Sequence, residues 1–67
     1  MKNNIINVFM ETVAIEERPE FEAFFETLNE KERAFIIEYM EGLEFDNILD
    51  QLTLDELMDC RDVVNAE

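Results

Sequence analysis

Residues 19–28 read PEFEAFFETL, and this stretch has the clearest structural pattern in the chain. Its large apolar side chains recur at positions i, i+3, i+4 and i+7, and they are Phe21, Phe24, Phe25 and Leu28. That spacing places all of them on one face of an α-helix. Proline suits the first turn of a helix, where its missing N–H is not needed, so Pro19 begins the element. We therefore predict a helix over 19–28 that buries an aromatic stripe.

The next segment has both a start and a stop signal. Asn29 and Glu32 form a capping-box pattern, in which the Asn side chain accepts a backbone N–H and the Glu side chain accepts the N–H of the cap. The helix predicted over 30–41 contains Phe35, Ile36, Ile37, Tyr39 and Met40. Gly42 follows where a left-handed C-terminal cap belongs, with Leu43 placed to fold back on the last turn.

Two more helices are predicted after Gly42. The first covers 44–52, because Phe45, Ile48, Leu49 and Leu52 repeat the same i, i+3, i+4, i+7 spacing. A second capping box, Thr53 with Glu56, begins a helix over 54–65. Its inward-facing side chains are expected to be Leu54, Leu57, Met58, Cys60 and Val64.

The N-terminal segment 3–17 is also interpreted as a helix. Its Ile6, Phe9, Met10 and Val13 fall at helical spacing, and Asn3 or Asn4 could be the N-cap. Its β-branched residues would also suit a strand, but the chain has no second alternating segment to pair with one. The prediction is therefore an all-α fold: one domain, 1–67, forming a compact bundle of about five short helices.

Composition supports a packed, intracellular domain. Of the 67 residues, 48% are hydrophobic, enough to form a core despite the high charge. The one cysteine, Cys60, has no partner for an internal disulfide and is interpreted as a small buried hydrophobe. No signal peptide or membrane-spanning run is evident, so a cytoplasmic location is expected.

The charge balance restricts the partners. Eighteen acidic residues against five basic ones give a net charge of −13. Such a surface repels nucleic acids and anionic membranes, and the five bases are too scattered to form a phosphate-binding patch. We expect no direct nucleic-acid or membrane binding, and a cationic protein as partner.

Enzymatic chemistry lacks its usual residues. The chain has no His and no Ser, so catalytic triads, His bases and common zinc sites are each missing a member. Carboxylate pairs such as Glu16 and Glu20 are expected by chance in so acidic a chain. Residues 44–50 lack the glycine of a calcium-binding loop. We predict no catalytic residue, no metal site and no cofactor.

The acids recur at three- or four-residue spacing opposite the apolar faces. The groups of interest as a partner-binding surface are Glu38 and Glu41, then Asp46 and Asp50, then Asp55, Asp59 and Asp62. Like charges at this spacing weaken an isolated helix by about 0.2–0.5 kcal/mol per pair. Two interpretations remain open: imitation of the DNA phosphate array, or a surface that only confers solubility.

Residues 28–58 resemble the helix-turn-helix unit of LuxR-type and sigma-region-4 transcription proteins. The matching positions are Leu28, Glu32, Arg33, Phe35, Glu41, Gly42, Leu43, Ile48 and Leu52. The resemblance implies a recognition helix, but that helix reads LDELMDCRD over 54–62, with four carboxylates and one guanidinium. It would be repelled by DNA, so such a unit would contact protein instead.

Two functions are compatible with these features. The first is a small regulator or inhibitor, of the size common among phage-encoded or antitoxin-like proteins, that binds a basic, nucleic-acid-binding partner. The alternative is a helical interaction module that docks through an apolar face or self-associates, for instance as a homodimer.

Overall fold

The computed structural model of the chain describes residues 5–66, and most of these residues are helical, with no strand among them. The helices are α1 (Ile5–Thr12), α2 (Arg18–Glu26), α3 (Glu30–Phe45) and α4 (Leu54–Ala66). A single 3-10 turn, Leu49–Gln51, lies between α3 and α4. The all-α prediction is confirmed, and the expected number of about five helices is one too many for this part of the chain.

An aromatic cluster joins α1 to α2. Phe9 lies 5.3 Å from Phe21 and 6.4 Å from Phe25 between ring centroids, and Phe24 lies 5.7 Å from Phe25. All three pairs meet edge to face, which is the favourable arrangement for aromatic rings. The stripe predicted from residues 19–28 is therefore buried as expected, although α2 begins at Arg18 and ends at Glu26, so that Leu28 lies just beyond it.

The rest of the core comes from α3, the 3-10 turn and α4. Ile36, Met40 and Leu57 are 0% exposed, and Leu49 and Leu52 pack in the same cluster. These residues close the bundle over the aromatic cluster, so a single core includes every helix.

Both predicted capping boxes are present. Asn29 Oδ1 accepts the N–H of Glu32 at 2.8 Å, and Glu32 Oε1 accepts the N–H of Asn29 at 2.9 Å. Thr53 and Glu56 repeat the exchange at 3.3 and 3.2 Å. The starts of α3 and α4 are therefore where the sequence predicts them.

α1 is shorter than the predicted 3–17. It ends at Thr12, whose hydroxyl donates to the Phe9 carbonyl at 2.7 Å. Beyond it, Val13 and Ile15 are weak helix formers, and Glu16 and Glu17 oppose the negative end of a helix dipole. The chain turns instead, and Arg18 Nε donates to the Val13 carbonyl at 3.2 Å. The predicted N-caps, Asn3 and Asn4, lie outside the described residues.

The stop predicted at Gly42 is wrong. Gly42 lies inside α3 with an ordinary negative φ, and Asn47 is the residue with positive φ, at 64°. The N–H of Ile48 donates to the Leu43 carbonyl and that of Asn47 to the Glu44 carbonyl, both at 3.0 Å. This is a Schellman motif with Asn in the left-handed position, so α3 gains one turn over the predicted 30–41.

The helix predicted over 44–52 is consequently also wrong. Residues 44 and 45 complete α3, and only Leu49–Gln51 form a helical turn. The left-handed residue Asn47 reverses the chain, so the predicted apolar stripe is split. Leu49 and Leu52 are buried, whereas Ile48 is 38% exposed and Phe45 is 90% exposed.

α3 and α4 lie side by side in opposite directions. Asn65 Nδ2, near the end of α4, donates to Glu32 Oε2 at 3.0 Å near the start of α3. Tyr39 Oη, further along α3, donates to Glu56 Oε2 at 3.5 Å near the start of α4. α4 spans 54–66, as predicted to within one residue.

Candidate binding surface

The seven acidic residues expected to bind a partner are all exposed. Glu38 and Glu41 lie on α3, Asp46 caps its C-terminus, and Asp50 is in the 3-10 turn. The remaining three lie on α4 at i, i+4 and i+7, and they are Asp55, Asp59 and Asp62. That spacing aligns their carboxylates along one face of α4.

The seven acids do not converge on one pocket. Asp59 lines a groove between α3 and α4, and Asp50 lines a depression beside Val8 and Thr12 of α1. Asp55 lines a third depression, with Glu17 and Glu20 opposite it at the start of α2. The candidate surface is therefore a broad acidic exterior that continues onto α2.

The arginine side chains contribute to the fold. Arg18 Nε donates to the Val13 carbonyl, and Arg33 donates to the Phe25 carbonyl at 2.9 Å. The Arg61 guanidinium lies over the Phe24 ring, 5.2 Å from its centroid, in cation–π geometry. Each of the three guanidinium groups is therefore held by a contact within the chain.

The last turns of the four described helices carry no basic residue of their own. α3 instead ends with Glu44 and with Asp46 as its C-cap. A negative charge there faces the negative end of the helix dipole, which is locally unfavourable.

Glu32 is the buried acid among residues 5–66, and its role is structural. It accepts hydrogen bonds from the Asn29 backbone and from the Asn65 side chain. These two donors, helped by the nearby Arg61 charge, lower the pKa of Glu32 below its usual value although burial opposes them. Glu32 therefore stays ionised while joining α3 to α4.

The α3–α4 groove has a mainly apolar lining. It has a volume of about 310 Å³ and is lined by Phe35, Tyr39, Glu56, Asp59, Cys60 and Val63. Phe35 is 38% exposed and Val63 is 49% exposed. Partial burial, followed by the charge of Glu56, raises the pKa of Tyr39, so its phenol stays a neutral donor.

Cys60 lies at the base of this groove. It is buried and has no disulfide partner, as the sequence predicts. Burial, followed by the charges of Asp59 and Glu56, raises the pKa of its thiol. The thiolate that metal binding or nucleophilic attack requires is therefore disfavoured.

The described residues carry neither a metal-binding cluster nor a membrane-spanning helix. Within residues 5–66, no three Cys, Asp or Glu side chains are grouped so that they could hold a metal ion. No helix in that range combines the length and apolar character needed to cross a membrane. Comparison of the chain with protein-family models, curated proteins and solved structures finds no match.

The sequence patterns did not identify three residues of the α3–α4 groove as part of a binding surface. Phe35 and Tyr39 were expected among the apolar residues of their helix, and Glu56 only in a capping box, yet all three line the groove. A usable signal was present, because Phe35, Tyr39 and Gly42 fall at i, i+4 and i+7 on a face separate from the buried Ile36 and Met40.

Proposed function

We propose that this chain is a small acidic regulator or inhibitor that binds a basic, nucleic-acid-binding protein through its exterior, in competition with the nucleic acid. The observation that carries this proposal is that the arginine side chains make contacts within the chain, whereas the acidic side chains lie on the exterior. Three arginines are engaged with backbone carbonyls or an aromatic ring. Apart from Glu32, every acid among the described residues is exposed.

The cost of this arrangement supports the proposal. Like charges follow one another along α4, and acids end α3 where the dipole disfavours them. Solubility of a small domain needs a net charge of roughly 2–8 in magnitude, well below the 13 of this chain. An excess of negative charge that destabilises the fold is explained if the charge serves partner binding. Charge complementarity accelerates association and selects the partner.

The proposed function is not catalytic. We also propose that the chain acts inside the cell, where the single Cys60 stays a thiol. We further propose that residues 28–58 serve for protein contact in the manner of a helix-turn-helix-like unit, although α3 runs past Gly42 and only a 3-10 turn stands where the short second helix was predicted. α4 continues beyond this segment to Ala66, and it would present Asp55, Asp59 and Asp62 to the partner in place of a DNA-reading surface.

The test is capture from a nuclease-treated cell extract on the immobilised protein, followed by elution with duplex DNA or with salt. A variant with the seven acids replaced by Asn or Gln is compared with one in which five other exposed acids, outside the depressions that the seven line, are replaced by Gln: Glu11, Glu16, Glu22, Glu26 and Glu30. We expect basic proteins that duplex DNA elutes, with capture reduced far more by the first set. Capture that neither DNA nor salt reverses would exclude the proposal.

A second proposal, an apolar interaction module, is favoured by Phe45. Its ring is 90% exposed at the end of α3, and Ile48 beside the turn is 38% exposed. Self-association through this patch would make the sedimentation coefficient depend on concentration, and Phe45→Ser would abolish that dependence. Binding that is insensitive to salt would favour this alternative over the acidic surface.

A further inference from the structure

The groove between α3 and α4 is lined by apolar side chains of both helices and by two carboxylates, Glu56 and Asp59. We propose that it binds a cationic amphipathic helix of the partner, with an apolar side chain against Phe35, Tyr39 and Val63 and Lys or Arg beside Glu56 and Asp59. The inference deepens the proposed function and rests on it, because it specifies which part of a basic partner this surface recognises.

The apolar part of the groove provides the anchor. Phe35 and Val63 lie on facing helices and remain partly exposed, with Tyr39 between them and the polar end. The groove is open to solvent and has a volume of about 310 Å³. The groove can therefore accept one or two apolar side chains, as in other helix-in-groove complexes.

The charges at the edge select the occupant. Glu56 and Asp59 line the groove directly, and Asp62 lies one turn beyond Asp59 on α4. A second copy of this chain would bring the same carboxylates and a further net charge of −13 to the interface. Like charges across an interface oppose association, whereas Lys or Arg beside an apolar anchor would be attracted.

Gly42 gives independent support. It follows Tyr39 by three residues, on the same face of α3 as Phe35, and a Cβ placed there would meet nothing within 4 Å. Packing therefore does not require glycine at this position, and glycine in a helix interior is destabilising by about 0.5–1 kcal/mol relative to Ala. A bare helix surface beside the groove is explained if a partner backbone approaches closely there.

The test uses two helical peptides of about 14 residues with equal charge: one has Leu on one face and Lys on the other, and the second has Ser in place of Leu. Binding to the full chain is measured by calorimetry and located by amide chemical shifts. We expect saturable binding of the Leu/Lys peptide at Phe35, Tyr39 and Val63, and at least tenfold weaker binding of the Ser/Lys peptide.

Matched variants locate the site. Phe35→Ser with Val63→Ser should weaken the Leu/Lys peptide at least tenfold, as should Gly42→Leu, while Phe45→Ser leaves its affinity unchanged. The affected side chains are partly exposed, and circular dichroism reports whether each variant folds. Equal effects of Phe45→Ser and the groove variants, or shifts spread over the whole surface, would overturn the inference. So would a dimer of the wild-type chain that the groove substitutions dissociate.

The groove inference and the acidic-surface proposal can each be contradicted without the other. If DNA-eluted basic proteins from an extract bind the wild-type chain and the Phe35→Ser, Val63→Ser variant equally, the groove inference is wrong and the acidic-surface proposal stands. If duplex DNA elutes nothing from the wild-type chain, the acidic-surface proposal is wrong whatever the peptides show.

Discussion

Asn65 donates a hydrogen bond of 3.0 Å to Glu32, and so ties the last turn of α4 to the first turn of α3. The other carboxylate oxygen of Glu32 accepts the Asn29 N–H, so one buried acid both caps a helix and joins two of them. These bonds favour the ionised form, which makes the fold sensitive to acid at this point.

The first prediction concerns that sensitivity. Because the pKa of Glu32 is lowered in the folded chain, its contribution to stability is complete above its usual value of 4.5 and is lost as the pH falls through the folded value. The difference in unfolding free energy between wild type and Glu32→Gln should stay level from pH 7 to 5 and shrink below about 4.5. Urea titrations at each pH measure it. In an Asn65→Ala background the decline should be smaller, and a difference that grows on acidification would contradict the assignment.

The second prediction distinguishes the two possible ends of α3. Gly42→Ala should stabilise the protein by up to about 1 kcal/mol, since the new methyl meets open space in a helix interior. Asn47→Ala should destabilise it by about 1 kcal/mol, because its φ of 64° is left-handed and Asn, whose short polar side chain can hydrogen-bond locally, tolerates that conformation better than Ala. Asn47→Gly is the matched control and should be tolerated. Thermal melts that show Gly42→Ala to be destabilising would restore Gly42 as the cap.

The third prediction compares two phenylalanines. Phe9 is 1% exposed and contacts two other rings, so Phe9→Ala should cost about 3–5 kcal/mol, which could unfold so small a domain. Phe45 is 90% exposed, and Phe45→Ala should change stability by less than about 0.5 kcal/mol. Chemical denaturation followed by circular dichroism measures both. A large loss for Phe45→Ala would place its ring in the core.

These comparisons show where the sequence was sufficient. The aromatic stripe and both capping boxes were predictable because each depends on neighbouring residues on one helix. The end of α3 was not predictable from spacing. The i, i+3, i+4, i+7 pattern of Phe45, Ile48, Leu49 and Leu52 gives no information about the left-handed backbone conformation of Asn47. The signal was there: Asn also adopts that conformation, and Leu43 and Ile48 flank it as a Schellman motif requires.

The acidic surface was predictable only as a set of exposed positions. Helical spacing correctly placed Asp55, Asp59 and Asp62 on one face of α4. It could not show that Asp50, Asp55 and Asp59 line separate depressions, since that depends on how the helices pack. The groove formed by Phe35, Tyr39 and Val63 likewise exists only once α3 and α4 are side by side.

The fourth prediction concerns the charge at the end of α3. Asp46→Asn should stabilise the domain by about 0.3–1 kcal/mol at low salt, because it removes a negative charge from the negative end of the dipole. The gain should fall at high salt as the interaction is screened. Melting temperatures at two ionic strengths measure both effects. Destabilisation at low salt would mean that the carboxylate makes a favourable contact.

The measurement that tests the central claim most directly is competition between this chain and duplex DNA for a partner captured from the extract. We predict that the two exclude each other, and that the logarithm of the association constant of the chain falls steeply and linearly with the logarithm of salt concentration. Replacing the seven acids should remove most of that dependence. A ternary complex of chain, partner and DNA, or an affinity that salt leaves unchanged, would contradict the account.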